Sequence, residues 1–407
     1  MKTQIPIEQA AYQPGRSTTE QVFCIKTLAE KAITTDDFTI FILMLDMSKA
    51  FDSIDRRKLM EYLSEILEDD ELYMLNLLIN DVVINVEMGE EKGKNIHTNV
   101  GSCQGDCLSA IFFIIYLAKS IKPLPQIIER QDYDKPLWSE LDWLINKDKN
   151  KIEFNPKYSD DINFIRSEYS KIRQLKRIVP VMLKENNLEV NTSKTEEYVV
   201  NNSGDDDKWK KCKVLGSLLE TRADIERRHR LANSSYKKFE KVFQSKISIK
   251  TKIRVFDSYV GSIFLYNCGI WTTTKEINDK IDVIQRRFLR RILNIRWPKT
   301  ISNVRIYEIT KQTPWSLIVR TRAISWLGHL MRLDEETPAR KALQEYIKRG
   351  KRPPGRPKET WVSMITKTLR NIGLNVDFRN DVELFKNLET VCADRVRWRT
   401  IIRNTKL

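Results

Sequence analysis

Two short acidic runs, each bound to an apolar, β-favouring stretch, constrain this chain more than anything else in it. They are LDMSKAFD (Leu45–Asp52) and KYSDDINFI (Lys157–Ile165). Ahead of the first, Phe38-Thr39-Ile40-Phe41-Ile42-Leu43-Met44-Leu45 is nearly continuous hydrophobe, the pattern of a strand covered on both faces. It delivers Asp46 to a strand end, and Lys49–Ile66 then reads as a helix. In the second run Tyr158 precedes Ser159-Asp160-Asp161, and Ile162, Phe164 and Ile165 follow, the pattern of a hairpin whose turn carries two adjacent carboxylates. Adjacent carboxylates in an apolar setting are costly unless something neutralises them. A divalent cation with hard oxygen ligands, normally magnesium, does so most simply. Three carboxylates from two neighbouring strands can hold two such ions, the equipment of in-line phosphoryl transfer. Taken alone, the Asp pair reads equally well as turn chemistry and solvated charge, as Asp205-Asp206-Asp207 does.

Further motifs in sequence order decide between these readings. QPGRSTTEQ (Gln13–Gln21) puts a Gly/Arg turn before a helix, and GSCQGDCLS (Gly101–Ser109) puts Gln104-Gly105 before the apolar helix Leu108–Lys119. NTSKTE (Asn191–Glu196) and VLGSL (Val214–Leu218) follow the Asp pair. Together with Asp46–Asp52 and Tyr158–Asp161, these segments resemble the reverse transcriptase of a non-LTR (LINE-type) retrotransposon. They stand in that family's order as a fingers segment, motifs A to D and the primer-grip hairpin. The likeness runs from about residue 10 to the C-terminus.

The resemblance implies an RNA-directed DNA polymerase that uses deoxynucleoside triphosphates, an RNA template and a DNA primer. Asp46, Asp160 and Asp161 would be catalytic ligands of two magnesium ions, with manganese able to replace them. Phe51 would gate the sugar, since a rigid aromatic fills the space of a ribose 2′-hydroxyl. Gln104 and Gly105 would contact the incoming nucleotide, Gly105 because a residue without Cβ lets backbone approach a ligand. Arg16 would be the remaining fingers cation, Lys194 the general acid for departing pyrophosphate, and Leu215, Gly216 and Ser217 the primer grip. Without the resemblance, Phe51 reads as core, Gln104-Gly105 as a turn, and Lys194 as one solvated lysine among many.

The implied fold is α+β: a right-hand polymerase palm of antiparallel sheet and helices with partial fingers, then a helical thumb and a basic, mostly helical C-terminal region. The expected division is residual fingers over 1–45, palm over 46–220, thumb over 221–300 and C-terminal region over 301–407. The family differs in having Ala before its two Asp, Pro at the position of Ala110, a fuller upstream fingers region and an endonuclease. The expectation is therefore an N-terminally truncated or split copy. The alternative is an inactive copy acting at most as a nucleic-acid-binding protein. Phe51 argues against an RNA-synthesising polymerase, which must admit the 2′-hydroxyl.

Charge supports a nucleic-acid partner independently. The chain carries +15 overall, but residues 1–207 hold 25 Lys/Arg against 36 Asp/Glu, a net −11, and residues 208–407 hold 45 against 19, a net +26. An acidic half suits cation binding, and a surplus of this size in the other half suits phosphate backbones. Within it, Lys275–Ile295 is the clearest helix. Ile277, Ile281, Ile284, Phe288 and Ile292 form one stripe, and Arg286, Arg287, Arg290 and Arg291 point largely elsewhere, towards a template–primer duplex or towards solvent. Asp224–Phe243 and Thr251–Tyr266 also read as helices, as does a short stretch around Leu137–Ile145 in the charged excursion Lys122–Pro156.

Lys348–Lys358 (KRGKRPPGRPK) excludes a helix and reads as a basic linker. Its Lys351, Arg352, Arg356 and Lys358 also resemble an AT-hook, which enters the minor groove of A·T-rich DNA. Trp315, Trp326, Trp361 and Trp398 read as core anchors. Six scattered cysteines and three distant histidines give no zinc spacing and point to reduced thiols. With neither a signal segment nor an apolar run of about 20 residues, the expected setting is intracellular, nuclear or cytoplasmic, with no membrane.

Overall fold

The strand expected before Asp46 is β1 (Ile40–Leu45), the centre of the main sheet. The structure is a computed structural model that describes residues 5–36, 38–102, 106–124, 152–203, 207–347, 354–355, 357–374 and 382–404. β1 pairs antiparallel with β9 (Asp161–Arg166) on one side and with β11 (Glu196–Val200) on the other. Two short strands, β7 (Glu153–Phe154) and β8 (Lys157–Tyr158), complete a five-stranded sheet by pairing with β9. Burial does not alternate along β1 or β9, which is why their sequences read as unbroken apolar runs.

The chain divides into two compact units, Met1–Gln21 with Phe38–Asn201, and Val22–Asp37 with Asn202–Leu407. In the first, the core joins Leu43, Leu45, Ile162 and Phe164 of the sheet to two helices, Ser109–Ile121 and Tyr169–Lys184. The second helix offers Ile172, Leu175, Ile178, Val179, Met182 and Leu183 to it, a stripe at helical spacing. The expected helix from Lys49 begins later. Met47–Ser48 is a strand, β2, paired with β10 (Glu189–Val190), and Lys49 turns left-handed at φ 49°. Asp55 then accepts hydrogen bonds from Arg57 N and Lys58 N and starts the helix at Arg56, which ends at Ser64. A capping aspartate and a strand partner override the apolar periodicity that extended the helix backwards.

Among its described residues the second unit has helices and a single hairpin, β12 (Lys213–Val214) with β13 (Ser217–Leu218). Helix Lys275–Ile292 buries Ile277, Ile281, Ile284, Phe288 and Ile292, as its periodicity predicts. Trp315 stacks on Phe264 at 4.4 Å and lies parallel to Phe256 at 5.8 Å, which anchors that core. Trp326, Trp361 and Trp398 are buried as well. The stretch expected as a helix over Thr251–Tyr266 is helical from Ile249 to Phe264 without a break, with a π-helical turn at Asp257–Gly261 inside it. The expected helix around Leu137–Ile145 lies outside the described residues. Among the described residues no helix is long and apolar enough to cross a membrane.

Cys24, Cys212, Cys268 and Cys392 are buried, whereas Cys107 is exposed beside the helix at Ser109. Burial raises the Cys24 thiol and pushes Cys268 up to about 11 and Cys392 up to about 12. These thiols therefore stay protonated across the neutral range. In the native protein a maleimide should label Cys107 ahead of all four, and raising the pH from 7 to 9 should leave the four protected. Mass spectrometry of the labelled peptides checks both outcomes.

Candidate functional site

In the antiparallel register Leu45 faces Ile162, the last pair of the ladder, and one further step along it would set Asp46 opposite Asp161. Cα atoms of residues so placed lie about 4.5–5.5 Å apart. Asp161 also faces Tyr158 across the β8–β9 hairpin, whose two-residue turn is Ser159-Asp160. Asp46, Asp160 and Asp161 thus gather at one end of adjacent strands, although Asp46 is more than a hundred residues from the other two. The expected turn carries only the first of the paired carboxylates, since Asp161 is already the first residue of β9.

A second connection brings Lys194 to the same place. β10 pairs with β2, Asn191 N donates to Asp46 O at 2.8 Å, and a 3₁₀ turn follows over Thr192–Lys194. Lys194 Nζ then lies 3.1 Å from Asp46 Oδ2. That oxygen accepts no hydrogen bond of good geometry although it is itself buried. An ion pair without directional bonding leaves the oxygen's coordination incomplete. Three carboxylates are the hard oxygen donors a magnesium ion takes, and an incompletely satisfied inner oxygen fits that role. Among the described residues, no three His, Cys, Asp or Glu side chains are drawn together closely enough to enclose an ion. Asp46 leans on Lys194 in that arrangement.

Phe51 opens a short 3₁₀ turn, is half-buried, and stacks on Phe113 with ring centroids 4.6 Å apart. It packs against the edge of the core with one side of its ring committed to Phe113. Its carbonyl accepts from Ser102 N at 2.9 Å, and Ile54 O accepts from Gly101 N at 2.8 Å. These bonds tie the end of the Gly101 segment to the segment that follows Asp46. Gly101 sits at φ 82°, and a Cβ there would lie 2.8 Å from Asp52 O and 3.0 Å from Asp52 Cα. Arg56 is 5% exposed and donates to the carbonyls of Thr98 and Gly101 at 2.6 and 2.7 Å. Gln104 and Gly105 themselves lie outside the described residues.

Arg16 is turned inward. Its guanidinium pairs with the buried carboxylate of Glu20 and donates to Ile7 O at 3.1 Å. In the second unit, Leu215 and Gly216 form the turn of the β12–β13 hairpin, both at positive φ, 44° and 78°. Such a turn matches strand twist, but it strains a leucine. Arg227 Nη1 donates to Gly216 O at 2.8 Å, Arg228 bonds the same oxygen, and Tyr266 Oη donates to Leu215 O at 3.1 Å. Ser217 accepts from Asn267 at 3.1 Å.

The four helix arginines are not equivalent. Arg290 donates to Asn303 at 2.7 Å, and Arg286 acts on the Tyr307 hydroxyl, opposing the rise that burial gives it. Arg291 and Arg287 are both exposed, but Arg291 lies over the Tyr236 ring at 4.2 Å and donates to Asn233 at 3.1 Å. Lys358 donates to Ile33 O at 3.3 Å. Lys351, Arg352 and Arg356 lie outside the described residues, and the AT-hook reading with them.

Two residues of the site escape sequence reasoning, Arg56 and Gln9. Arg56 follows a capping Asp and looks like surface charge. Gln9 makes a side-chain bond to Ser159 N at 3.0 Å across 150 residues of chain. No local pattern announces either.

Residues 1–219 match the family model of reverse transcriptase (RNA-dependent DNA polymerase), and the chain belongs to that family. No curated protein matches the chain. Among solved structures, a telomerase from Candida tropicalis in complex with a fragment of telomeric RNA aligns over 95% of this chain and 53% of its own, with 14% identity and a TM-score of 0.42. A telomerase from Candida albicans, also with a telomeric RNA fragment, aligns over 79% and 56%, with 13% identity and a TM-score of 0.34. Apo telomerase from Candida tropicalis aligns over 84% and 54%, with 14% identity and a TM-score of 0.40. The chain thus spans about half the length of these proteins, and likenesses this distant carry no argument about its activity.

Gly101→Ala should test the join between the two segments. A Cβ meeting Asp52 backbone at a left-handed position should lower stability by about 2–4 kcal/mol, measured by urea unfolding. A loss no larger than that of an exposed Gly→Ala control would mean the close approach is not made.

Proposed function

We propose that this chain is the RNA-directed DNA polymerase of a non-LTR (LINE-type) retrotransposon, extending a primer 3′-hydroxyl with deoxynucleotides on an RNA template. One observation supports the reading: the β1–β9 register, whose continuation past Leu45 and Ile162 would bring Asp46 across from Asp161, with Asp160 in the adjoining turn. Asp46, Asp160 and Asp161 would hold two divalent ions, which when bound would stabilise charge on the attacking and departing oxygens. Phe51, steadied by Phe113, would exclude a ribose 2′-hydroxyl. Lys194 is the candidate proton donor to pyrophosphate, and its contact with Asp46 supports that assignment. Leu215, Gly216 and Ser217 would grip the primer, their turn held rigid by Arg227, Arg228 and Tyr266.

A second reading has the palm inactive and the chain binding nucleic acid only. One observation favours it: Arg16, the candidate triphosphate cation, is bound to Glu20 and Ile7 O. An extension assay with primed RNA, deoxynucleotides and magnesium separates the two. On the first reading the unmodified chain extends the primer, and Asp160→Ala or Asp161→Ala abolishes extension without lowering the melting temperature. Extension that survives either substitution places the chemistry elsewhere. No extension by a folded, unmodified chain supports the second reading.

Both readings require a phosphate-binding surface in the basic half. Affinity for template–primer duplex should fall steeply with salt. Arg287→Glu should weaken it and lower the log–log salt slope by about one or more. Arg291→Glu should lower the melting temperature, because it removes a guanidinium packed on Tyr236. Equal effects of the two substitutions on binding and melting would remove the distinction between Arg287 and the braced Arg291.

A further inference from the structure

The Tyr158–Asp161 pair closes the turn that presents Asp160, but Ser159 within it is held from outside the hairpin. Ser159 sits at φ 55°, a conformation that an ordinary side chain disfavours. Its hydroxyl is buried and makes no hydrogen bond, so the side chain does nothing to fix the turn. Both backbone groups of Ser159 are met by a single side-chain amide. Ser159 N donates to Gln9 Oε1 at 3.0 Å, and Gln9 Nε2 donates to Ser159 O at 3.3 Å. Gln9 is 2% exposed and Ser159 6% exposed, so water does not compete for these groups.

The amide is itself fixed on every side. Gln9 forms a parallel bridge with Lys157, flanked by Lys157 N donating to Glu8 O at 3.1 Å and Ala10 N donating to Lys157 O at 3.0 Å. Gln9 Oε1 also accepts from Ala11 N at 3.0 Å, and Gln9 O accepts from Gln13 Nε2 at 2.6 Å. The segment therefore lies against β8 as a short extra strand, and its side chain continues the pairing where the strand ends. The chain has few cheaper ways to satisfy a left-handed, buried turn, because a charged partner would have to be desolvated.

We propose that Gln9 is the positioning residue of the acidic turn: by pairing both backbone groups of Ser159 it holds that residue left-handed and sets Asp160 and Asp161 against Asp46. The consequence for catalysis rests on the polymerase reading above; the clamp itself does not. Ser159→Ala should leave the turn intact, since the hydroxyl it removes has no partner.

Hydrogen exchange of the full chain, resolved to single amides, provides the first test. In the unmodified protein the Ser159 amide should exchange as slowly as the Phe164 amide in β9. Exchange at the rate of an open turn would overturn the proposal. Gln9→Met fills the same volume without an amide and should speed exchange at Ser159 about tenfold, leaving Phe164 unchanged. Gln9→Asn, one methylene shorter, should do the same, and serves if the methionine variant fails to fold.

In the extension assay these variants should lower kcat about tenfold and raise the magnesium concentration for half-maximal rate, with affinity for primer–template unchanged. A variant that exchanges faster at Ser159 yet keeps wild-type kcat and magnesium dependence would overturn the positioning role. If the unmodified chain extends no primer, the polymerase reading fails while the exchange measurements still decide the clamp.

Discussion

The antiparallel pairing of β1 with β9 is the constraint on which the first unit depends. The same register whose continuation would bring Asp46 across from Asp161 sets Leu43 across from Phe164 and Leu45 across from Ile162, all buried. A slip of one residue would exchange the side chains packed on the two covered faces and move Asp46 out of step with Asp161 in one stroke. Burial of the core therefore holds in place the strand ends that carry Asp46 and Asp161.

What was legible in the sequence follows the range of the forces involved. The unbroken run Phe38–Leu45 and the stripe on Lys275–Ile292 declare themselves because strand and helix periodicities are local. The helix after Asp46 starts later than its apolar periodicity suggests, because its start depends on Asp55 capping and on β2 pairing with β10, a partner some 140 residues away. The acidic residues were found by their motif, yet the groups that arrange them were not. Arg56 reaches three carbonyls in the segment before Gln104, and Gln9 reaches Ser159, each through contacts across more than forty residues. The four helix arginines looked alike in sequence, and only distant Asn303, Tyr307, Tyr236 and Asn233 distinguish them.

Buried amides recur where the backbone lacks a partner. Gln285, fully buried in the Lys275–Ile292 helix, accepts from Trp315 N at 2.8 Å and donates to Thr313 O at 2.9 Å. Gln9 does the same for Ser159 in the other unit. A glutamine supplies a donor and an acceptor on one flat group and carries no charge to desolvate. At Gln285 the amide anchors the start of the Trp315–Met331 helix, whose first residue, Trp315, fills the core. At Gln9 it anchors a turn that carries charge. The chemistry is common to both, and only the second lies beside residues with a proposed catalytic role.

Electrostatics at the acidic site points the same way as its geometry. Asp46 is flanked by the strand end bearing Asp160 and Asp161, and the cation within 4 Å of it is Lys194. The Asp46 side chain is 29% exposed and that of Lys194 is 66% exposed, so solvent screens their attraction. A divalent ion bound directly by carboxylate oxygens carries twice the charge at a shorter distance, and Coulomb attraction favours it over such a lysine. On the proposed function, ion binding would free the Lys194 ammonium while leaving it on its 3₁₀ turn next to the site. That is where a proton donor to departing pyrophosphate is needed. On that reading Lys194 would serve both the carboxylates and the leaving group, since the pairing of β10 with β2 brings its turn to Asp46.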